Sequence, residues 1–199
     1  MPLINYATRE ITFKLVYYGT GLGGKTTNLM YIHSQINPSC RGDLISLRTE
    51  TERTLFFEYM PIEVADLGSG FKMRVAIYTV PGQEEYDQSR KQVLRGADGI
   101  VFVADSNAQR EKANIDSMKN MHDNLRYNDL SVQEGTGIPW VLQYNKRDLT
   151  NAMPVERMQS ALNPTLIPAF ESIAIEGYGV LTTLKAITKL MVNKTKQTK

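Results

Sequence analysis

A glycine-rich stretch near the start of the chain has the spacing of a phosphate-binding loop. Residues 19–26 read Gly-Thr-Gly-Leu-Gly-Gly-Lys-Thr, and Leu29, Ile32 and Ile36 continue it as one face of a helical pattern. Glycines let backbone N–H groups form a concave ring, and the helix directs its positive dipole end at the same place. We therefore expect these residues to contact a nucleotide's phosphates: Gly19, Gly21, Leu22, Gly23, Gly24, Lys25, Thr26 and Thr27.

Lys25 and Thr26 add the chemistry that a ring of N–H groups lacks. The Lys25 ammonium would neutralise the outer phosphates, and the Thr26 hydroxyl would hold Mg²⁺. The alternative is a glycine-rich turn that contains a lysine by chance. The strand-like run before the loop and the helical pattern after it favour the phosphate site.

A second motif, Asn-Lys-Arg-Asp at residues 145–148, indicates which base is bound. It follows an apolar, strand-like run over residues 140–144. The Asp148 carboxylate can accept two hydrogen bonds from guanine, whereas adenine offers neither donor. A site built on such a hydrogen-bonded group can discriminate against a base that lacks the donors by a factor of roughly 10⁴–10⁵. Lys146 would lie along the base plane, and Asn145 would tie this loop to the phosphate loop.

Residues 172–175 could complete the base site. They end the last predicted strand, so they belong to the same sheet edge. The backbone N–H of Ala174 could reach the guanine oxygen, with Ile175 beside it. If Asp148 were incidental, the chain could instead be a phosphate-loop ATPase or kinase.

Composition limits the classes of protein and partner that remain. With 199 residues, of which 42% are hydrophobic, the chain suits one domain over residues 1–199 with its own core. The 23 basic and 21 acidic side chains give a net charge of +2, too mild to favour nucleic acid as the main partner. The single cysteine, Cys40, excludes an internal disulfide. Without a signal peptide or a long apolar run, we expect a cytoplasmic protein, with a frayed lysine-rich tail from about residue 193.

The motifs lie on a pattern of alternating strands and helices, which predicts an α/β fold with a mostly parallel sheet. A polar, irregular stretch from residue 37 to residue 51 precedes the second predicted strand. Strands are predicted at residues 11–18, 54–60, 71–80, 100–104, 140–144 and 172–175. After the helix that follows the phosphate loop, further helices are predicted at residues 83–95, 108–127, 153–162 and from residue 179 onwards.

Taken together, these motifs resemble those of the Ras-type small GTPases. Residues 80–86, Val-Pro-Gly-Gln-Glu-Glu-Tyr, look like the second switch of that family, and all motifs occur in the family's order. Within the superfamily the chain is most similar to the bacterial gliding-motility (MglA) type. That similarity rests on residues 17–19, 53–57, 79–83 and 98–106. The resemblance implies a P-loop NTPase fold, a Ras-like G domain with helices on both faces of the sheet.

The resemblance also implies roles in GTP hydrolysis. Gln83 matches the glutamine that orients the attacking water, and the Gly82 N–H would contact the γ-phosphate. Thr54 matches the first-switch threonine that completes the Mg²⁺ shell. Arg53 looks like an arginine finger carried in the same chain, with Lys25 as a further catalytic cation. The alternative for Arg53 is an ordinary surface arginine in a ladder of charges.

The chain departs from the Ras pattern at Thr79, where an aspartate would hold Mg²⁺ through a water. Threonine keeps a hydroxyl that could still hold such a water but brings no charge. The change belongs to the MglA-type pattern, so it does not oppose the resemblance. It predicts weaker metal binding and slow intrinsic turnover.

The resemblance implies a regulatory cycle and its partners. GTP with Mg²⁺ would hold residues 51–60 and 82–95, which change shape when the γ-phosphate leaves. A Roadblock-type (MglB-like) homodimer would stimulate hydrolysis, and the GTP form would recruit polarity or motility effectors at a cell pole. No integral membrane segment or nucleic-acid partner is expected. A nucleotide-locked adaptor that scarcely hydrolyses GTP is the alternative that Thr79 leaves open.

Overall fold

Strands and helices alternate along most of the chain, as the sequence predicts. The computed structural model of the protein describes residues 2–48, 54–66, 70–83, 86–132 and 137–197. The strands are β1 (Leu3–Asn5), β2 (Glu10–Gly19), β3 (Ile45–Arg48), β4 (Thr54–Asp66), β5 (Lys72–Thr79), β6 (Gly99–Asp105), β7 (Trp140–Asn145) and β8 (Ala169–Glu171). The α-helices are α1 (Lys25–Gln35), α2 (Asp87–Leu94), α3 (Glu111–Tyr127), α4 (Val155–Leu162) and α5 (Val180–Gln197).

The strands form one mixed sheet in the order β3-β4-β5-β2-β6-β7-β8, and β1 pairs antiparallel with the start of β2. From β5 to β8 all neighbours are parallel, whereas β3, β4 and β5 pair antiparallel at the other edge. This confirms the mostly parallel sheet. The carboxyl ends of β2, β5, β6, β7 and β8 therefore share one edge, which is where such sheets bind ligands.

The pleat of β2 divides the core into two layers, because alternate side chains point to opposite faces. Phe13, Leu15 and Tyr17 pack on one face with side chains of α1 and α5. Val16 and Tyr18 pack on the other with side chains of α2, α3 and α4. Helices thus cover both faces, which confirms the predicted α/β fold class.

The last helix confirms the predicted apolar stripe. Val180, Leu184, Ile187 and Met191, at spacings of four, three and four, are all buried against the sheet. The helix continues through Gln197, whereas the sequence places a frayed tail from about residue 193. None of the helices in the described part of the chain is both long and apolar enough to cross a membrane.

Several predicted boundaries are wrong. The last strand lies at Ala169–Glu171 rather than at residues 172–175, because Ser172 still pairs with Tyr144 but Ile173 already turns back to bond Tyr178. The edge strands β1 and β3 are missed, since each is short and gains its hydrogen bonds from a longer neighbour. β4 extends to Asp66, six residues beyond its predicted end at residue 60, because it pairs with β5 through Asp66.

Candidate functional site

The glycine-rich loop joins the carboxyl end of β2 to α1, which begins at Lys25. At Gly19 the φ angle is +134°, and a Cβ there would lie 2.1 Å from the Val103 carbonyl oxygen of β6. Gly24 has a φ of +99° and forms the N-terminal cap of α1. Only glycine fits both positions without strain. Thr26 and Thr27 lie in the first turn of α1 and are partly exposed.

Lys25 lies folded over its own loop. Its Nζ donates hydrogen bonds to the carbonyl oxygens of Gly19, at 2.9 Å, and Thr20, at 2.7 Å. The side chain is buried, and burial lowers the pKa of Lys25 to about 7. The carboxylate of Glu58 opposes that shift, and the charges of Arg90 and Arg110 add to it. An anion bound beside Lys25 would favour its charged form and raise this pKa again.

Asn145 connects the base-reading loop to the phosphate loop. Its Nδ2 donates to the Gly23 carbonyl oxygen at 2.9 Å. Its Oδ1 accepts hydrogen bonds from Ser172 Oγ and from the Ala174 N–H, both at 2.9 Å. The buried amide therefore holds three loops together, including the link to the phosphate loop that the sequence predicts. The Ala174 N–H, predicted to face the guanine oxygen, has Asn145 as its acceptor.

The remaining base-site residues lie on the same edge of the sheet. Lys146 has a φ of +66°, and its Nζ donates to Asp105 Oδ2, at the end of β6, at 2.7 Å. Asp148 follows in an exposed turn, and Ile175 is 78% exposed. Because Asn145 is hydrogen-bonded to Gly23, the loops that carry Asp148 and Lys25 lie side by side.

Gly82 packs directly on the phosphate loop. A Cβ at Gly82 would lie 2.2 Å from the Gly21 nitrogen, so the two backbones are in contact. Arg90 of α2 donates to the carbonyl oxygens of Pro81 and Gln83, which fixes this turn from behind. Gln83 is half-buried beside it. The predicted γ-phosphate contact and water-orienting residue thus adjoin the loop that would hold the phosphates.

A polar network fastens α2 to α3 behind this turn. Asp87 accepts hydrogen bonds from Asn120 Nδ2 at 2.8 Å and Asn124 Nδ2 at 2.9 Å, and it pairs with Lys91 at 2.8 Å. Burial alone would raise the pKa of Asp87, but these bonds hold it well below its usual range. The start of α2 is therefore anchored to α3.

Comparison with known families identifies the chain. Residues 3–191 match the ADP-ribosylation factor family. The chain belongs to this family, and it is a GTPase of the MglA type. It is 50% identical over 197 residues to the mutual gliding-motility protein MglA of Myxococcus xanthus, covering 99% of each chain. It is 28% identical over 151 residues to ADP-ribosylation factor-like protein 4A of Homo sapiens and of Mus musculus, covering 76% of this chain and 66% of each relative.

The oxygen donors beside the phosphate loop of this GTPase fit Mg²⁺, which prefers hard oxygen ligands. Thr26 and Thr79 supply hydroxyls at the ends of neighbouring elements. Thr54 begins β4, and Arg53 lies outside the described residues. The described part of the chain contains no cluster of three His, Cys, Asp or Glu side chains that could hold a metal. Thr26 and Thr79 are therefore the candidate protein ligands for a metal among the described side chains, beside the nucleotide's own phosphates.

Glu58 lies at the candidate site, and the sequence reasoning missed it. It is fully buried on β4, directly opposite Thr79 of β5 in the antiparallel register. Thr79 Oγ1 donates to Glu58 Oε2 at 3.1 Å and accepts the Glu58 N–H at 3.1 Å. A carboxylate thus lies one strand away from the position where the Ras pattern places an aspartate. Only the strand register shows this pairing, because no sequence motif joins the two residues.

Nucleotide binding should take up protons above neutral pH. With a pKa of about 7, Lys25 of the nucleotide-free protein is largely neutral at pH 8. Bound phosphates would raise that pKa again, so binding restores a proton that rising pH removes. We expect GDP binding at pH 8 to take up close to one proton, and affinity to fall as pH rises from 7 to 9. Calorimetric titration in two buffers of different ionisation enthalpy measures this uptake.

Two comparisons make that titration decisive. At pH 6 the Lys25 ammonium is already protonated, so its contribution to proton uptake should nearly vanish. The Lys25→Met variant should show no uptake from this position at either pH. Identical apparent heats in both buffers at pH 8 would contradict the role assigned to Lys25.

Proposed function

We propose that this GTPase is a molecular switch for gliding or twitching motility and for cell polarity. The support is its likeness to the Myxococcus gliding-motility protein over nearly the whole of both chains. Partners of the GTP form would be motility or polarity effectors that concentrate the protein at a cell pole.

The contact between Gly82 and Gly21 is the observation that carries the switch mechanism. Because the two backbones touch, a γ-phosphate arriving beside Gly21 must also meet the turn at residues 81–83. The Gly82 N–H would donate to that phosphate. Loss of the phosphate would then release this turn and residues 51–60, trading order for disorder.

Hydrolysis itself requires positioning and charge neutralisation more than covalent chemistry. Gln83 would orient a water whose oxygen attacks the γ-phosphorus while the bond to the β-phosphate oxygen breaks, giving GDP and phosphate. Lys25 and Arg53 would neutralise charge on the transferring oxygens. Thr26 and Thr54, with Thr79 through a water, would hold Mg²⁺, which neutralises charge on the phosphates when bound.

The intrinsic reaction is proposed to be slow and to need a partner. Residue 79 carries no charge that could help to hold Mg²⁺. A Roadblock-type (MglB-like) homodimer would hold Arg53 and Gln83 inward. This proposal explains why a chain with these catalytic residues could still be slow alone.

Single-turnover GTP hydrolysis, with and without such a partner, tests the proposal. Gln83→Leu and Arg53→Ala should each slow the stimulated rate by at least about tenfold, the low end of the range for arginine fingers. Arg126→Ala is the matched control, since Arg126 lies exposed on α3, where it pairs with the exposed Asp123. It should leave the stimulated rate unchanged.

Two results would oppose the proposal. If neither Gln83→Leu nor Arg53→Ala changes the stimulated rate, the catalytic assignments are wrong although nucleotide binding could survive. If the wild-type protein shows no hydrolysis with any Roadblock-type partner, the nucleotide-locked adaptor becomes the better account.

A further inference from the structure

Arg110 reaches the phosphate loop from a separate part of the chain. It ends a short 3-10 turn, Ala108–Arg110, between β6 and α3. Its Nη2 donates a hydrogen bond to the Gly21 carbonyl oxygen at 3.0 Å. Arg110, Gly21, Gly82 and Asp87 all line one cavity of about 690 Å³. No motif in the sequence links Arg110 to the nucleotide.

The turn that carries Arg110 is firmly held. The Asn107 side chain accepts the Gln109 N–H at 2.9 Å, and the Arg110 N–H donates to the Asn107 carbonyl oxygen at 2.8 Å. The Ala108 N–H donates to the Asn151 carbonyl oxygen at 3.2 Å. Because its backbone is fixed in this way, the arginine is directed at the loop by the fold.

The hydrogen bond to Gly21 controls the direction of a neighbouring N–H group. The Gly21 carbonyl and the Leu22 N–H belong to one planar trans peptide, so they point in opposite directions. Leu22 has a φ of +61°, which a leucine rarely adopts, and its side chain is 75% exposed. Side-chain packing therefore does little to hold this peptide in place, and Arg110 supplies a hydrogen bond that does.

We infer that Arg110 is a positioning residue for the phosphate loop. By holding the Gly21 carbonyl, it directs the Leu22 N–H to the side where the nucleotide's phosphate chain would lie. Its positive charge also polarises the same peptide, which makes the N–H a stronger donor. The inference rests on the proposed phosphate site and adds a residue that acts on that site through the backbone.

The electrostatics of the loop agree with this placement. Arg110 Nη2 lies 3.0 Å from the Gly21 carbonyl oxygen, so its positive charge lies beside the loop that would hold the phosphates. Arg110 acts on that loop through its backbone and need not touch a phosphate.

Nucleotide dissociation from the full-length protein tests the inference. In Arg110→Ala, release of a fluorescent GDP should be about tenfold faster, the effect of losing one charge-assisted hydrogen bond. Arg110→Lys keeps the charge but loses the guanidinium geometry, so its rate should lie between wild type and Arg110→Ala. The affinity for guanosine, which has no phosphates, should be the same in all three proteins.

Arg157→Ala is the matched control. Arg157 donates two hydrogen bonds to the carboxylate of Glu111, at 2.9 and 2.8 Å. Glu111 is the residue that follows Arg110 in the chain. Removing the Arg157 side chain perturbs the start of α3 without touching the phosphate loop, so GDP release should match that of the wild type.

Three outcomes would overturn the inference. They are an unchanged GDP release rate in Arg110→Ala, an equal acceleration in Arg157→Ala, or an equal loss of guanosine affinity. If Arg110→Ala does not fold, Arg110→Lys provides the test. Because lysine lacks the guanidinium geometry, a GDP release rate equal to that of the wild type in Arg110→Lys would also overturn the inference. A wild-type protein that does not bind GDP would instead contradict the proposed function, so the two failures are distinguishable.

Discussion

Replacing Asp148 with asparagine should reduce the preference for GTP over ATP by about 10⁴-fold, the scale of discrimination by a hydrogen-bonded site. The carboxylate would offer two acceptors, one to the guanine ring N–H and one to the exocyclic amine. An asparagine amide offers one acceptor and turns a donor toward the other guanine donor. Xanthine has a carbonyl in place of that amine, so xanthosine triphosphate should become the better ligand of Asp148→Asn.

Competition of unlabelled nucleotides against fluorescent GDP measures this change. Asp123→Asn makes the same chemical substitution on the exposed surface of α3 and should leave the preference for GTP intact. The loss should appear in affinity without a change in melting temperature, because Asp148 lies in an exposed turn. An Asp148→Asn protein that still prefers GTP by the wild-type factor would rule out this residue as the guanine reader.

Replacing Gly24 with alanine should weaken GDP binding by about 10²-fold. The added Cβ would lie 2.1 Å from Asn145 Nδ2, and the φ of Gly24 is +99°. Asn145 is buried and hydrogen-bonded to Gly23, Ser172 and Ala174, so it cannot move without losing these bonds. Backbone strain and a lost buried hydrogen bond, at about 1–3 kcal/mol each, add up to about 2–6 kcal/mol, and a 10²-fold loss corresponds to the lower part of that range.

Gly96→Ala is the control that separates the steric contact made by Gly24→Ala from the backbone strain of a positive φ. Gly96 also has a positive φ, +70°, but no atom lies within 4 Å of the added Cβ. It should lower the melting temperature slightly and leave GDP affinity unchanged. If Gly24→Ala binds GDP as tightly as Gly96→Ala does, the contact between the phosphate and base loops has no part in binding.

The site residues that the sequence predicts lie in short, continuous sequence motifs. The phosphate loop and residues 145–148 each follow a strand, so their spacing carries both the chemistry and the place in the fold. Lys25 and Asn145 lie where these motifs put them. The resemblance to Ras-type GTPases added the role of Gly82, which the structure places against the phosphate loop.

The residues that sequence reasoning missed depend on how separate elements meet. Glu58 faces Thr79 only in the observed register of β4 and β5, and a shift by one residue would point it to the other face. Asp105 contacts Lys146, and Arg110 contacts Gly21. Both contacts form because β6 lies between β2 and β7 in the sheet. Such contacts follow from packing, which periodicity alone does not determine.

The misplaced elements have a related cause. β1 and β3 have three and four residues, too few to show an alternating pattern, and each exists by pairing with a longer strand. Residues 172–175 are apolar enough to form a strand, but the Ala174 N–H donates its hydrogen bond to the Asn145 side chain instead of to a neighbouring strand. Tertiary contacts therefore decided these boundaries.

The central claim is that a ring of main-chain amides binds the phosphates while Asp148 selects guanine. Competition between GTP and ATP for the wild-type protein tests it most directly. We expect GTP to displace fluorescent GDP at a concentration lower than that of ATP by about 10⁴-fold. Equal displacement by the two nucleotides would contradict the account.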